Sequence, residues 1–377
     1  MSRASTEPRI LAVATQGAGG DDEARLSALL CRLPTTLFSF DRKDKRRSAS
    51  DLFRAICKDR PDLVVMEGTG IGGGLALMLG KAVAGVPYVV SSGDAVGPFV
   101  AAIKPMLGPL FSAYERRLCR NAAGFIGWSP YLAGRALTFG CPRAMTAPGW
   151  APFEPQPERR SEIRRRLGIP EASVVFGIVG SLAWNRRVGY GYGLELAEAI
   201  LRVERSDVRV VIVGDGDGRS ELEKRASRSS GRCLLTGRVP RDDVPAYLAS
   251  FDVASLPQSL DGVGMFRYTT KISEYFATGL PIVTGRLPLA YDLDVGGFWR
   301  LPGHAPWSPT YHAALADLMR TITADELAEK RAAAARRLPE FDKERQIART
   351  TAFLRDLLEE IRTSAYDNRI EIGAPAE

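Results

Sequence analysis

The chain has 377 residues, of which 45% are hydrophobic and 25% charged, and its formal net charge is +7. This composition is typical of a globular protein in water, and the length favours two domains over a single core. The five cysteines form no Cys-x-x-Cys pair and the two histidines stand late in the chain, which argues against a disulfide framework, a zinc site and a histidine-based nucleophile.

The positive charge is concentrated in the N-terminal part of the chain. Residues 1–155 carry 19 basic and 13 acidic side chains, whereas the remainder carries 32 and 31. The densest local cluster is DRKDKRR, residues 41–47. Such a concentration of basic residues suits contact with an anionic membrane or an anionic acceptor. It is equally typical of a solvated surface, so both interpretations stay open. No nucleic-acid-binding module is recognisable, and nucleic acid is not predicted as a partner.

The first predicted elements alternate between strand and helix. Residues 9–16 form a strand pattern, followed by a glycine-rich turn that contains Gly19 and by an amphipathic helix. The segments PDLVVMEG, LALMLGKAVAG and VPYVVSS continue as strand, helix and strand, which predicts a doubly wound α/β domain. The polar N-terminus predicts no secretory signal, and Lys81 and Pro87 interrupt the most apolar run too early for a membrane-spanning helix.

Polar and basic residues follow in the second part of this predicted domain. Gly93 and Asp94 follow the strand VPYVVSS, and Asp94 either faces the site or caps the next segment. A basic helix, SAYERRLCR, comes next, and the proline-rich APFEPQPERR is typical of a linker between domains.

The alternation restarts after this linker. SVVFGIVG is a predicted central strand that ends at Gly180, and the loop that follows carries Arg186 and Arg187. VRVVIVGDGDG predicts a second strand and a glycine turn with Gly214 and Asp215. Its Asp-Gly-Asp resembles a metal-binding motif of another fold, an interpretation that we reject because strand, turn and helix follow one another here as in a Rossmann-like domain.

The final predicted site segment is YTTKISEYFATGLPIVT. Lys271 and Glu274 stand on a helix that Gly279 ends with a left-handed cap, and a short buried strand follows Pro281. By pattern alone, a solvated surface position explains Glu274 as well as a functional position does.

Two segments resemble the retaining group 1 glycosyltransferases. KISEYFATGLPIV is similar to the family's KLFEYMAAGKPVV, and CLLTGRVPRDDVPAYLASFDVASLP is similar to FLGRVPHEEVPAYLAAADVFVLP. The resemblance implies the α/β GT-B fold, with two Rossmann-like doubly wound domains facing across a cleft. The implied domains are an acceptor domain at residues 1–155, a donor domain at 156–345, and a C-terminal helix with a loose tail at 346–377 that crosses back to the first domain.

The resemblance also implies which residues bind a nucleotide-sugar. Glu274 corresponds to the acid that holds the ribose hydroxyls, and Arg187 falls at the family's phosphate-binding lysine, while Ser181 replaces its partner arginine. The implied donor-binding set is Gly19, Gly180, Arg186, Arg187, Gly214, Asp215, Arg238, Val239, Gly264, Met265, Lys271 and Glu274. The implied catalytic set is Asp94, Arg187, Lys271 and Asp261.

The chain departs from the family pattern at two points. Gly93 stands where many members have a histidine before the aspartate. The family's first acid, eight positions before Glu274, falls on Phe266, unless Asp261 of the DGVG turn takes its place. We prefer Asp261, with the backbone N–H groups of Gly264 and Met265 facing the donor, and the alternative stays open.

The resemblance implies transfer of a sugar, with retention, from a nucleoside-diphosphate sugar to a hydroxyl. UDP is the default nucleotide, and the acceptor is a glycan, a lipid-linked glycan or a small molecule. The scarcity of histidine and the lack of an obvious nucleophile fit a front-face reaction. We expect no catalytic metal, and no cofactor, since the nucleotide-sugar is a substrate. The predicted location is cytoplasmic, with peripheral association with the inner membrane face left open. The alternatives are an epimerase or phosphorylase on the same fold, and a degenerate module that binds nucleotide-sugars or scaffolds a complex.

Overall fold

Two six-stranded sheets, parallel throughout, organise the chain in the computed structural model. The structure describes residues 7–336 and 338–373, without the side chains of 364–373. One compact unit comprises residues 1–149 and 342–377, and the other comprises residues 150–341. The unit boundaries therefore fall at 149/150 and 341/342, where the sequence predicted 155/156 and 345/346.

The first sheet has the strand order β2-β1-β3-β4-β5-β6. Its strands are β1 (Ile10–Ala14), β2 (Thr35–Phe38), β3 (Leu63–Glu67), β4 (Tyr88–Ser92), β5 (Gly124–Gly127) and β6 (Ala144–Thr146). β3 and β4 are buried along their whole length, as expected for parallel strands covered on both faces. β2 was not predicted from the sequence, because this edge strand has only four residues and is partly exposed.

The helices of the first unit follow each strand in turn. They are α1 (Asp21–Leu29), α2 (Lys45–Asp59), α3 (Ile71–Ala84), α4 (Val96–Ile103), α5 (Gly108–Asn121), α6 (Pro130–Thr138) and α15 (Lys343–Gly373). α15 packs beside the sheet, since a side chain at Gly124 would meet Phe353 and Leu357. The predicted loose tail begins at residue 364, but no helix-breaking residue precedes Gly373, so α15 continues to that point; residues 374–377 lie outside the described part.

The second sheet has the strand order β12-β11-β10-β7-β8-β9. Its strands are β7 (Val174–Val179), β8 (Val208–Val213), β9 (Cys233–Gly237), β10 (Val253–Leu256), β11 (Ile282–Gly285) and β12 (Phe298–Leu301). The helices are α7 (Arg160–Arg166), α8 (Leu194–Ile200), α9 (Arg219–Ala226), α10 (Val244–Ala249), α11 (Thr270–Ala277), α12 (Leu289–Asp292), α13 (Pro309–Thr321) and α14 (Ala324–Ala334).

Both sheets are doubly wound, as the sequence predicted. In each unit the strand order reverses direction at one point, between β1 and β3 in the first sheet and between β7 and β10 in the second. In open α/β sheets, ligands bind beyond the carboxyl ends of the strands at such a switch point. Among the described helices, none combines the length and the hydrophobicity that a bilayer-crossing segment requires.

Candidate functional site

The switch point of the second sheet brings Gly180 and Lys271 together. Gly180 follows β7 directly, and Lys271 stands in the first turn of α11, after β10. The Lys271 ammonium lies 4.5 Å from the ring centroid of Tyr192, and a Cβ placed on Gly180 would lie 2.8 Å from its Nζ. The glycine therefore leaves room for a cation at the carboxyl end of the central strand.

Glu274 stands one helical turn after Lys271, on the same side of α11. It is half-buried, and its backbone carbonyl accepts a hydrogen bond from the Thr278 hydroxyl at 2.9 Å. The neighbouring Tyr275 fixes the helix, because its hydroxyl donates to the Ser255 carbonyl on β10 at 3.0 Å. The predicted pair of Lys271 and Glu274 is thus anchored to the strand that borders the switch point.

A buried carboxylate, Glu195, lies behind this site. It accepts hydrogen bonds from the Tyr190 hydroxyl at 2.8 Å, from the Ser255 hydroxyl at 2.8 Å and from the Gly193 N–H at 3.1 Å. Burial raises the pKa of Glu195, and the hydrogen bonds from Ser255 and Tyr190 act in the opposite direction. This network joins the loop before α8 to β10 and α11.

Gly214 and Asp215 form the turn after β8. Gly214 has φ +142°, and a Cβ there would lie 1.9 Å from the Gly180 carbonyl oxygen, so only glycine fits. The Asp215 carboxylate accepts from the Gly216 N–H at 2.8 Å and lies 3.8 Å from Arg219. Asp217, in the same turn, accepts from the Trp184 N–H at 2.8 Å.

The predicted arginines lie on exposed turns. Arg186 and Arg187 occupy the tip of a hairpin that Asn185 and Tyr190 close with reciprocal backbone hydrogen bonds of 2.8 and 3.2 Å. In the sequence this hairpin reads as part of a simple loop. Elsewhere in the second unit, Arg238 and Val239 follow β9, where Arg238 is exposed and Val239 half-buried.

Asp261 is engaged by its own loop. Its Oδ1 accepts from the N–H groups of Val263 at 2.8 Å and Gly264 at 2.9 Å, and its Oδ2 accepts from the Ser259 hydroxyl at 2.8 Å. The Met265 N–H donates to the Asp261 carbonyl at 3.0 Å. The amides of Gly264 and Met265 therefore point to Asp261 in this structure, and not to a donor as the sequence suggested.

The switch point of the first sheet contains a second polar cluster. Glu67, at the end of β3, is almost fully buried and accepts from Arg25 at 2.5 Å, from the Ser91 hydroxyl at 2.8 Å and from the Trp128 indole N–H at 3.0 Å. The Arg25 guanidinium also lies over the Trp128 ring, 4.5 Å from its centroid. This cluster orders the ends of three neighbouring strands.

Gly19, Gly93 and Asp94 lie in loops at this same edge. The Gly19 N–H donates to the Glu23 carboxylate at 2.6 Å. A Cβ at Gly93 would lie 2.7 Å from the Trp128 ring, which explains why the chain has no histidine there. The half-buried Asp94 lies close enough to Asp22 to contribute to the raised pKa of that residue.

Comparison with known families shows to which family the chain belongs. The model of the family described as "Glycosyl transferase 4-like domain" matches residues 1–148, and that of "Glycosyl transferases group 1" matches residues 173–299. The chain belongs to the group 1 glycosyltransferases. The family that the sequence motifs indicated is confirmed.

Curated relatives of the chain match it over part of their length. It is 28% identical over 205 residues to the 2-deoxystreptamine glucosyltransferase of Streptomyces kanamyceticus, covering 50% of this chain and 52% of the relative. It is 32% identical over 196 residues to the D-inositol 3-phosphate glycosyltransferase of Corynebacterium jeikeium, covering 48% of this chain and 45% of the relative. The chain therefore spans about half the length of the curated relatives that it matches.

Solved structures match the chain over nearly its whole length. HepE from Anabaena, in complex with UDP, gives a TM-score of 0.65 at 19% identity, covering 91% of this chain and 99% of that one. Sucrose-phosphate synthase from Thermosynechococcus elongatus gives a TM-score of 0.61 at 13% identity, covering 97% of this chain and 100% of that one. These likenesses confirm the predicted GT-B fold with two Rossmann-like domains.

Several polar residues near the two switch points were not predicted. They are Arg25, Glu67, Ser91, Trp128, Tyr192, Glu195 and Ser255. Three of them, Glu67, Ser91 and Ser255, share one signal in the sequence, since each is a polar residue in or at the end of a buried apolar strand. Polar residues there lie near the carboxyl edge of a parallel sheet, where sites form.

We expect Asp22 to destabilise the first unit above neutral pH. Burial, and next the charge of Glu67, raise the pKa of Asp22 to about 6, while Arg25 partly opposes the shift. Ionisation is therefore disfavoured in the folded state, and its penalty grows as the pH rises from 3.8 through about 6. Asp22→Asn should raise the free energy of unfolding by about 1 kcal/mol at about pH 8, with a smaller gain at about pH 5.

Urea unfolding at both pH values measures this difference. The matched control is Asp59→Asn at the exposed end of α2, for which we expect no such gain. A gain for Asp22→Asn that is the same at both pH values would contradict the assignment.

Proposed function

We propose that the protein is a retaining glycosyltransferase that moves a sugar from a nucleoside-diphosphate sugar, by default a UDP-sugar, to a hydroxyl of a glycan, a lipid-linked glycan or a small molecule. The observation that carries the proposal is the Lys271 ammonium at the switch point of the second sheet. It lies against Gly180 and the Tyr192 ring, with Glu274 one turn away. A compact cation is suited to phosphate oxygens, and an adjacent carboxylate is suited to ribose hydroxyls.

The proposed reaction needs stabilisation of a departing diphosphate. When the glycosidic bond to the phosphate breaks, negative charge develops on the leaving oxygen, and a fixed cation lowers the energy of that state. Lys271 supplies this charge, and Arg186 and Arg187 on their exposed hairpin add further cations. In the front-face reaction, the leaving phosphate oxygen accepts the proton of the attacking hydroxyl. No cofactor or metal is part of this scheme.

The remaining predicted residues have more local roles in the proposal. Gly180 and Gly214 let the backbone approach the donor, and Asp215 and the Arg238–Val239 turn border the nucleotide. The loop of Gly19 contacts the acceptor or the donor phosphate, and Asp94 faces the acceptor. Asp261 orders the loop that contains Gly264 and Met265.

Known proteins support the donor and acceptor classes. HepE binds UDP, and a trehalose-6-phosphate protein of Escherichia coli with the same fold is bound to UDP-2-fluoro glucose. The two curated relatives described above are named for 2-deoxystreptamine and D-inositol 3-phosphate. A mannosyltransferase of Mycolicibacterium smegmatis, 27% identical over 189 residues, is named as GDP-mannose-dependent, so GDP is the competing nucleotide.

We also propose a cytoplasmic location with peripheral association with the inner membrane face. The excess of basic over acidic residues in positions 1–155 supports this association.

The test combines nucleotide binding with product analysis. We expect calorimetry to show tighter binding of UDP than of GDP, and NMR of the transferred sugar to show the anomeric configuration of the donor, with the rate unchanged in EDTA. An inverted product would refute retention, and loss of activity in EDTA would refute the metal-free scheme. Conversion of donor without acceptor would favour the epimerase or phosphorylase, and binding without turnover would favour the binding module.

A further inference from the structure

Exposed apolar side chains are concentrated in one part of the first unit. In the described part of the chain, eleven of the fourteen large apolar side chains that are exposed lie between residues 37 and 137. Two groups dominate. One is a stripe along α3, and the other is the corner that joins α4 to α5; we call them together the apolar face, and they comprise Ile71, Leu75, Leu79, Val83, Ile103, Met106, Leu107 and Leu110.

The packing of α3 against its neighbours keeps the apolar stripe exposed. Its four residues recur every four positions, from Ile71 at 42% exposed to Val83 at 67%. The opposite side of α3 is glycine-rich, and a Cβ at Gly74 would lie 2.0 Å from the Tyr114 hydroxyl of α5, while one at Gly80 would lie 2.6 Å from Ile56 of α2. The helix therefore has no room to turn its apolar stripe inward.

The corner lies next to the stripe because α3 and α5 run side by side. The Tyr114 hydroxyl donates to the Gly70 carbonyl at 3.1 Å, at the start of α3, and the Lys81 ammonium donates to the Asn121 carbonyl at 2.7 Å, near its end. The corner comes just before Tyr114 in the chain, and therefore lies near the start of α3. Its Met106 is 94% exposed. The two apolar groups thus belong to neighbouring helices of one layer.

The chain segment that carries the apolar face is mainly basic. Between residues 68 and 153 the chain has only two acids, Asp94 and Glu115. Asp94 is half-buried, and Glu115 is buried and paired with Arg135 at 2.8 Å. The same range has seven basic residues, which are Lys81, Lys104, Arg116, Arg117, Arg120, Arg135 and Arg143.

We propose that the apolar face and its basic border, Lys104, Arg116, Arg117 and Arg120, dock the protein on a bilayer that contains anionic lipid. Apolar side chains on a helical surface, bordered by cations, match the boundary between headgroups and acyl chains. The inference rests on the proposed membrane association and not on the sugar chemistry. Docked in this way, the first unit would meet a lipid-linked acceptor at the membrane.

Vesicle flotation tests this docking. We expect the protein to float with vesicles of phosphatidylcholine and phosphatidylglycerol, to float poorly with phosphatidylcholine alone, and to release at high salt. The triple variant Arg116→Gln, Arg117→Gln, Arg120→Gln should lower partitioning roughly a hundredfold, since each cation contributes about fivefold. The double variant Met106→Ser, Leu110→Ser should also lower partitioning, with an unchanged circular dichroism spectrum.

A matched triple variant provides the control. Arg165→Gln, Arg166→Gln, Arg228→Gln removes three exposed cations from the second unit and should leave flotation unchanged. Equal loss in this control, or no flotation with anionic vesicles, would overturn the proposal. The proposal would also be overturned if light scattering showed that the wild-type protein is a dimer and the Met106→Ser, Leu110→Ser variant a monomer, because the apolar face would then bind a second copy of the chain.

UDP binding, measured on the same preparations without vesicles, separates the two proposals. A protein that binds UDP but does not float refutes only the docking surface. A protein that floats but binds no nucleotide refutes only the donor site.

Discussion

Replacing Lys271 by methionine should lower the rate of sugar transfer by about 10²- to 10³-fold. Methionine keeps most of the apolar stem against Tyr192 but removes the charge that lies beside Gly180. In the proposed reaction this charge stabilises the departing diphosphate, and the effect is largest when the bond to the sugar is breaking. Binding of UDP in the ground state should weaken less, by about tenfold. Steady-state kinetics and calorimetry with UDP measure the two effects.

The control for this variant is Lys224→Met in the same unit. Lys224 is 67% exposed on α9 and pairs with Glu221, so its loss should leave both transfer and UDP binding unchanged. Gly180→Ala provides a second check, because its Cβ would displace the Lys271 ammonium. This change should reduce transfer in the wild-type background and add little to Lys271→Met. Full activity of Lys271→Met would show that the ammonium does not act on the diphosphate.

Much of the fold follows from the sequence because parallel strands buried on both faces have a simple pattern. PDLVVMEG and SVVFGIVG are continuous apolar runs bounded by glycine or proline, and they become β3 and β7. β2 has no such run, since an edge strand is covered less, and its Thr35–Phe38 sequence gives no clear signal. Local pattern thus finds central strands more readily than edge strands.

The site was predictable only where the family motif names the residue. Lys271 and Gly180 are far apart in sequence, and their proximity depends on the order of β7 and β10 in the sheet. The network of Glu195 and Ser255 depends on the same order, and no motif pointed to it. For Asp261 the sequence suggested a sugar contact, whereas the structure shows hydrogen bonds to the N–H groups of its own turn. Such local bonds compete with a ligand for the same carboxylate.

Replacing Asp252 by alanine should reduce the free energy of unfolding of the second unit by about 3–5 kcal/mol. Asp252 precedes β10 at the end of the sheet opposite to the proposed donor site, and its side chain is 6% exposed. It accepts from Arg160 at 2.6 Å, from Arg164 at 2.6 Å and from Arg331 at 3.0 Å. Burial lowers the pKa of the fully buried Arg164, and the Asp252 charge opposes that shift. Without the carboxylate, the Arg164 charge would stay buried with backbone carbonyls alone as acceptors.

Urea unfolding of Asp252→Ala measures the loss, with Asp317→Ala as the control. Asp317 is 63% exposed and pairs with Arg320 on the surface of α13, so its removal should change stability by less than about 0.5 kcal/mol. Because Asp252 lies at the amino ends of β7 and β10, and Lys271 beyond their carboxyl ends, the folded fraction of Asp252→Ala should bind UDP with unchanged affinity. A small loss of stability would mean that water or another acceptor compensates the arginines. A large loss with unchanged UDP affinity would show that one end of the sheet stabilises the unit while the other binds the donor.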